Sequence, residues 1–304
     1  MFSKLNFLIF TMTFMLLLSC QEKMVWHVKE SERKLIVEGS LTDEFKKQQI
    51  RLSVSGDYFS ENPPTAVHGA SIKVFDGTQQ IIFKERNDLQ GFYESEFPVA
   101  GVPGRTYVLD VQLSSPVGKE DHYTALTSMG NKFDYESLEL MYKEALDDEE
   151  EKKVNYCLLF LSGKEAKSKG DYYYLRIFKN HQLLTDTVRE FIQINDDTYD
   201  INGRSGIISW YQLEDSINSE VDSLTIEINS VTKEYSSFLN ELEESTVEPD
   251  PFGMAGPPAN VKGNISGGAL GYFIAASVGR KTAKIESFDL EKAEHLKRKI
   301  QNVW

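Results

Sequence analysis

Residues 105–113 read Arg-Thr-Tyr-Val-Leu-Asp-Val-Gln-Leu, with Tyr107, Leu109, Val111 and Leu113 at every second position. A strand turns successive side chains to opposite faces, so this alternation predicts one buried face and one wet face. That is the pattern of an antiparallel sheet. The turn Gly101-Val102-Pro103-Gly104 stands directly before it, and the same grammar continues toward the N-terminus. Ile50, Leu52 and Val54 share one parity, as do Ile72 and Val74 ahead of Asp76-Gly77. With the apolar run Gln79–Glu85 behind it, Asp76-Gly77 reads as a hairpin turn. About seven short strands over residues 35–127 predict a β-sandwich of the immunoglobulin or transthyretin kind.

Residues 128–153 change character. The stretch ESLELMYKEALDDEEEKK (136–153) is charged and partly helical in period, which predicts a linker or surface helix. The carboxylates from Asp147 to Glu151 read as a solvated face, since contiguous acids point in different directions and rarely converge on one ion. Strand-like runs resume at residues 154–161, 171–178, 188–194, 206–213 and 222–231. Tyr235, Phe238, Leu239 and Leu242 then fall at i, i+3, i+4 and i+7, one apolar stripe of a helix packed on the sheet. A loop rich in proline and glycine (248–258) precedes further strand-like sequence, so residues 154–288 form a second β-rich domain. Residues 289–304 read as a C-terminal helix, with Asp289 and Glu291 at its start and Lys297, Arg298 and Lys299 near its end, matching the helix dipole. The class is mainly β: an N-terminal sandwich, then a second β-rich domain with one or two helices.

The chain starts differently. Lys4 precedes a run from Phe7 to Leu18 that is apolar except for Thr11 and Thr13, and Ser19-Cys20 follows. About 12 apolar residues fall short of the roughly 20 a spanning helix needs. A basic start, a short apolar centre and a small residue before the break are the layout of a secretory signal. Leu17-Leu18-Ser19-Cys20 resembles a bacterial lipoprotein signal, which implies cleavage before Cys20 and acylation of that residue. Residues 1–19 are then a signal peptide and 20–34 a polar tether, with the membrane as a partner through the lipid. Several acyl chains hold a protein essentially permanently, each buried methylene contributing about 0.8 kcal/mol. Glu22 resembles the acidic signals that send Bacteroidota lipoproteins to the cell surface. With Cys20 acylated, Cys157 in its apolar run has no disulfide partner and reads as a buried inert thiol.

A formal net charge of −14 argues against nucleic acid as a partner. The five histidines are scattered and none has helical zinc spacing; no serine-hydrolase elbow or phosphate loop stands in the chain, and no cofactor is predicted. The glycines of GNISGGALG (263–271) read as allowing tight turns beside strands. Asp196, Asp197, Asp200 and Asn202 before Gly203 loosely fit a calcium loop, and a polar turn explains them equally well. Aromatics are 12% of the chain, with clusters at Tyr172-Tyr173-Tyr174 and Trp210-Tyr211. Exposed rings there are candidates for stacking on a ligand such as a sugar.

Several blocks together carry a resemblance: VEGSLTDE (37–44), LSVSGDYF (52–59) with Pro63-Pro64 behind it, GASIKVFDG (69–77), AGVPGRTY (100–107), SLTIEINSVTKEYSSFLNEL (223–242), DPF (250–252) and VKGNISGGALGYFIAAS (261–277). In this order they resemble an uncharacterised outer-membrane lipoprotein family of the Bacteroidota, defined by a domain of unknown function, from about Leu35 to Ser277. Members are often encoded beside TonB-dependent receptors. The resemblance implies a non-enzymatic accessory protein of nutrient uptake at the outer membrane, and it carries no active site. A free-standing adhesin or glycan-binding module on the tyrosines is the alternative reading. A hydrolase whose carboxylates converge only in the fold is a third.

Overall fold

The computed structural model describes residues 32–56, 63–147, 152–164, 171–195, 200–201, 204–213, 223–246 and 260–301. The first eight strands are β1 (Leu35–Thr42), β2 (Gln49–Val54), β3 (Thr65–Ala66), β4 (Ser71–Phe75), β5 (Gln80–Glu85), β6 (Phe92–Ser95), β7 (Thr106–Val117) and β8 (Glu120–Ser128). β7 buries Tyr107, Leu109, Val111 and Leu113 and leaves Val108 and Gln112 outside, as its alternation requires. Asp76 and Gly77 turn the β4–β5 hairpin, in which Phe75 pairs with Gln80.

The later elements are β9 (Asp134–Asp147), β10 (Lys152–Lys164), β11 (Tyr172–Lys179), β12 (Gln182–Leu183), β13 (Ile192–Asn195), β14 (Asp200–Ile201), β15 (Arg204–Leu213), β16 (Ser223–Val231), helix α1 (Lys233–Ser245), β17 (Leu270–Ser287) and helix α2 (Leu290–Gln301). The fold is mainly β, and β17 is its spine. Its 18 residues span roughly 60 Å at strand rise. It pairs in parallel with β1 through residues 270–276, antiparallel with β16 through 277–284, and in parallel with β9 through 285–287.

In the N-terminal half the ladder runs β17–β1–β2–β6–β5–β4–β7–β8 without a break. Residues 264–266 stitch its two ends. Ile265 bridges Ala125 of β8, while the Asn264 amide donates to the carbonyls of Leu126 and Phe273 and accepts from Phe273 N–H. The enclosed core holds Val37, Ile50, Leu109 and Phe273, each with no accessible surface. Two glycines make this seam possible. A Cβ on Gly263 would lie 1.6 Å from the Gly271 carbonyl oxygen, and one on Gly271, at φ +83°, 2.2 Å from that of Val37. At these two positions the glycines of GNISGGALG serve close backbone approach, beyond the tight turns the sequence implies.

The C-terminal half has four layers. One sheet (β14, β15, β10, β9 and the end of β17) packs against another (β12, β13, β11, β16 and the middle of β17) over a core of Leu140, Leu159, Leu175, Ile226 and Ile285. Helix α2 covers the outer face of the first sheet through Ala293 and Leu296 on Leu158 and Phe160. Helix α1 covers the outer face of the second through Leu239 on Tyr174, Val231 and Ile274. β17 takes part in the N-terminal ladder and in both sheets of this half, and the described residues from Arg33 onward group as one unit.

Two readings of local structure are corrected. Most of 128–153 is the strand β9, not a linker or surface helix. β9 is covered on both faces, Leu140 entering the sheet–sheet core and Met141 the layer under α2. Apolar residues therefore occupy both parities, and Leu138, Met141, Tyr142 and Ala145 imitate a helical stripe. Residues 188–190 of the expected strand 188–194 form a 3-10 turn instead. The Glu190 carboxylate closes it by accepting from the Asp186 and Thr187 N–H groups and the Thr187 hydroxyl.

Candidate ligand-binding groove

Helix α1 starts at Thr232, whose hydroxyl accepts from Tyr235 N–H and supplies the cap a helix N-terminus needs. The stripe of Tyr235, Phe238, Leu239 and Leu242 then faces the sheet. Leu239 is fully packed, while Tyr235 and Phe238 at the edge of the stripe stay half-buried. Around them five rings form a continuous cluster. Tyr235 meets Tyr174 at 5.9 Å, Phe238 at 5.9 Å and Tyr272 at 5.0 Å between centroids. Tyr174 also meets Phe191 at 5.3 Å, and Phe238 meets Tyr272 at 5.0 Å. These are separations at which aromatic pairs attract beyond their buried area.

A groove of about 830 Å³ opens beside the cluster, where the closed N-terminal ladder meets α1. Ile36, Glu38 and Ser40, on the face of β1 turned away from its core, form one wall. Phe238 and Leu242 of α1 with Phe191 form the other, and Tyr272 and Ile274 of β17 lie between them. Its size is that of a small-molecule site, which ordinarily has apolar walls and a few polar groups. The polar groups here include Glu38, Ser40, Asp186, Ser245 and Asn260. Burial pushes the hydroxyl of Tyr235 well above the usual phenol range and that of Tyr272 upward. Tyr174 is pushed up to about 12 by the same cause. All three are neutral phenols at pH 7.

A second polar feature lies farther along the same sheet face. The register puts Arg176, Glu227 and Arg280 side by side on β11, β16 and β17. Glu227 is 2% exposed. It accepts from Arg280 Nη2 at 2.5 Å and Asn229 Nδ2 at 2.9 Å, and lies 3.4 Å from Arg176 Nη1. The turn after β1 closes over this row, Asp43 accepting from Val278 N–H at 2.7 Å and Glu44 pairing with Arg280. Burial lowers the Lys46 ammonium below its usual range, with Glu227 pulling it up and Arg176 pushing it down. The row fastens the N-terminal ladder to the second sheet, and its carboxylate is fully engaged.

The chain matches the family described as "Domain of unknown function (DUF4249)" over residues 21–282. It belongs to that family. A search of curated proteins finds no match. The family segment takes in both β layers, α1 and every described residue named in the groove.

The residues singled out in the DUF4249 chain scatter. Tyr172, Tyr173 and Tyr174 are no exposed platform. Tyr173 is 3% exposed and Tyr174 6%, on opposite faces of β11. Tyr173 meets Phe133 edge-on at 5.5 Å in the sheet–sheet core, and Tyr172 packs beside Tyr174 under α1. The expected outward ring is missing because α1 covers the face that alternation alone leaves wet. Trp210 and Tyr211 sit on β15 opposite Leu158 and Cys157 of β10. Asp200 belongs to β14, paired with Ser205. Asp196, Asp197 and Asn202, like Cys20 and the carboxylates 148–151, lie outside the described residues. No group of three or more His, Cys, Asp or Glu side chains is placed to hold a metal among the described residues. Cys157 is a buried free thiol, pushed up to about 12 by burial.

The sequence marks the α1 stripe as core packing first and a partner-binding helix second, and neither reading names a groove. The available signal was its composition, since two of the four positions are aromatic and one is tyrosine, a residue that brings a polar tip to an apolar wall. Glu227 was also legible, as the one charge inside the run Leu224–Val231.

Proposed function

We propose that this protein is a lipid-anchored accessory protein of the outer membrane that holds a small ligand for a TonB-dependent nutrient transporter. The aromatic groove carries this reading: about 830 Å³, apolar-walled, with polar groups spaced around it. The Cys20 signal and the family match beginning at the next residue support the anchor. The groove wall at Ile36 and Glu38 follows the tether in sequence, and the 14 residues from Cys20 to Arg33 can span at most about 50 Å. A ligand in the groove is therefore kept near the membrane that the transporter occupies. Tyr173 and Tyr174 are buried, so those two rings lend no support to a glycan-binding alternative.

The test is native mass spectrometry of protein purified from its own membranes. Wild type is expected to carry a small-molecule adduct, and Ser40→Trp, which fills the groove from β1, to lose it. Identical bare spectra from both would sink the ligand-holding role. A Cys20→Ala variant should leave the membrane fraction still folded; retention on the membrane would remove the anchor from the account.

A further inference from the structure

We propose that the groove selects a compact organic cation: an ammonium group carried on an apolar body. The inference rests on reading the groove as a binding site and adds the class of its ligand. Glu38 and Asp186 are the charged side chains in its lining; no lysine, arginine or histidine lines it among the described residues. Beside these carboxylates stand the rings of Phe191, Tyr235, Phe238 and Tyr272. An aromatic face is the negative pole of its quadrupole, so a cation over it is attracted, most strongly where water is excluded. The phenols keep that wall uncharged, so among the described lining residues only the two carboxylates carry charge.

Of the neighbouring cations, one pairs with a groove carboxylate and two are committed elsewhere. Arg51 pairs with Glu38 at 3.2 Å while lying over the Phe92 ring. Both partners are well exposed, so this pair is weak and exchangeable. Arg176, whose field reaches Tyr174 and Tyr235, faces Glu227. Arg189, on the same segment as Asp186, donates to the Thr246 hydroxyl and carbonyl at the end of α1. Nothing among the described residues pairs with the Asp186 carboxylate. An anion would meet the Asp186 carboxylate with no cation in the described lining to offset it, whereas a cation gains both that carboxylate and the aromatic wall. The net charge of −14 draws cations toward the molecule from a distance.

The probe is phenethyltrimethylammonium, titrated calorimetrically into the full chain in nonionic detergent with empty micelles as the blank. Two controls share its phenethyl body: the uncharged isostere with carbon replacing nitrogen, and the anion phenylpropionate. The cation is expected to bind at least about tenfold tighter than the isostere, equivalent to about 1.4 kcal/mol. Asp186→Asn should erase most of that preference and leave isostere binding unchanged. Phe238→Leu should weaken the cation several-fold, with an unaltered melting temperature as the check on folding. Equal binding of cation and isostere, or tightest binding of phenylpropionate, overturns the cation inference while the groove remains a binding site. If none of the three binds, the cation inference falls, and the Ser40→Trp adduct comparison decides separately whether the ligand-holding role falls with it.

Discussion

Glu227→Gln separates charge from shape at the row that fastens the two halves of the fold. The amide fits the same space, so packing is kept while the counter-charge of Arg176 and Arg280 is removed. Glu227 takes donors at 2.5 and 2.9 Å and faces Arg176 at 3.4 Å, with its side chain 3% exposed. A hydrogen bond to a charged group contributes about 1.5–3 kcal/mol and a neutral one about 0.5–1.5. Breaking a buried pair costs about 3–5 kcal/mol because the partner charge is stranded. Here the stranded guanidiniums are 30% and 43% exposed, so water recovers part of that cost. The expected loss is therefore about 3 kcal/mol. At about 2–4 °C per kcal/mol for a chain of this size, the melting temperature should fall by roughly 6–12 °C. Circular dichroism melts and urea titrations at pH 7 measure it, with the denaturant slope unchanged. A triple replacement, Arg176→Met with Glu227→Leu and Arg280→Met, should cost far less than Glu227→Gln, since apolar groups of similar volume leave no charge unpaired. A loss below about 0.5 kcal/mol for Glu227→Gln would refute the row as a fastening.

Three further outcomes follow from single sites. At Asp76, burial by itself raises the carboxyl, but donors from Gln79 N–H and the Thr78 hydroxyl and N–H, with Arg105 nearby, outweigh it and hold the group at about 2. A depressed folded value stabilises above the unfolded value of 3.8 and is lost as the pH falls toward about 2. Asp76→Asn should cost about 2 kcal/mol at pH 7, and its deficit in urea titrations should vanish at the acid end of that window; a pH-independent deficit would contradict the linkage. Gly271→Ala, with its Cβ 2.2 Å from the Val37 carbonyl oxygen, should lose at least about 3 kcal/mol or fail to accumulate. Gly77→Ala, where a Cβ meets nothing within 4 Å, should lose only about 1 kcal/mol; equal urea midpoints for the two would refute the seam. Cys157 should resist iodoacetamide at pH 8 and react only as urea unfolds the chain; peptide-mapped labelling of the native protein would show the thiol to be accessible.

What the sequence reveals depends on how many faces of an element are covered. β7 is legible because one face stays wet, so Tyr107 to Leu113 alternate. β9, β11 and residues 272–279 of β17 are covered on both faces, and parity there carries no information. Tyr172–Tyr174 imply one outward ring, the β9 residues imitate a helix, and β17 shows only as strand-like sequence because nothing local marks a strand passing from one sheet to the next. The groove is further from reach. Its walls come from residues 36–40, 186–191, 235–245 and 260–274, which only the pairing of β1 with β17 and the seating of α1 bring together. The stripe from Tyr235 to Leu242 points to a packed helix face. That Phe238 stays half-buried depends on the outward residues of β1 being Ile36, Glu38 and Ser40, which a local pattern on α1 does not contain.

The most direct measurement of the central claim is affinity recovery of the wild-type protein from gently solubilised outer membranes of its own host, followed by mass spectrometry of what accompanies it. A TonB-dependent receptor recovered in near-equal amount, and lost when the Cys20→Ala variant is the bait, is the predicted result. Recovery of the protein in quantity from the same membranes with no receptor would contradict it.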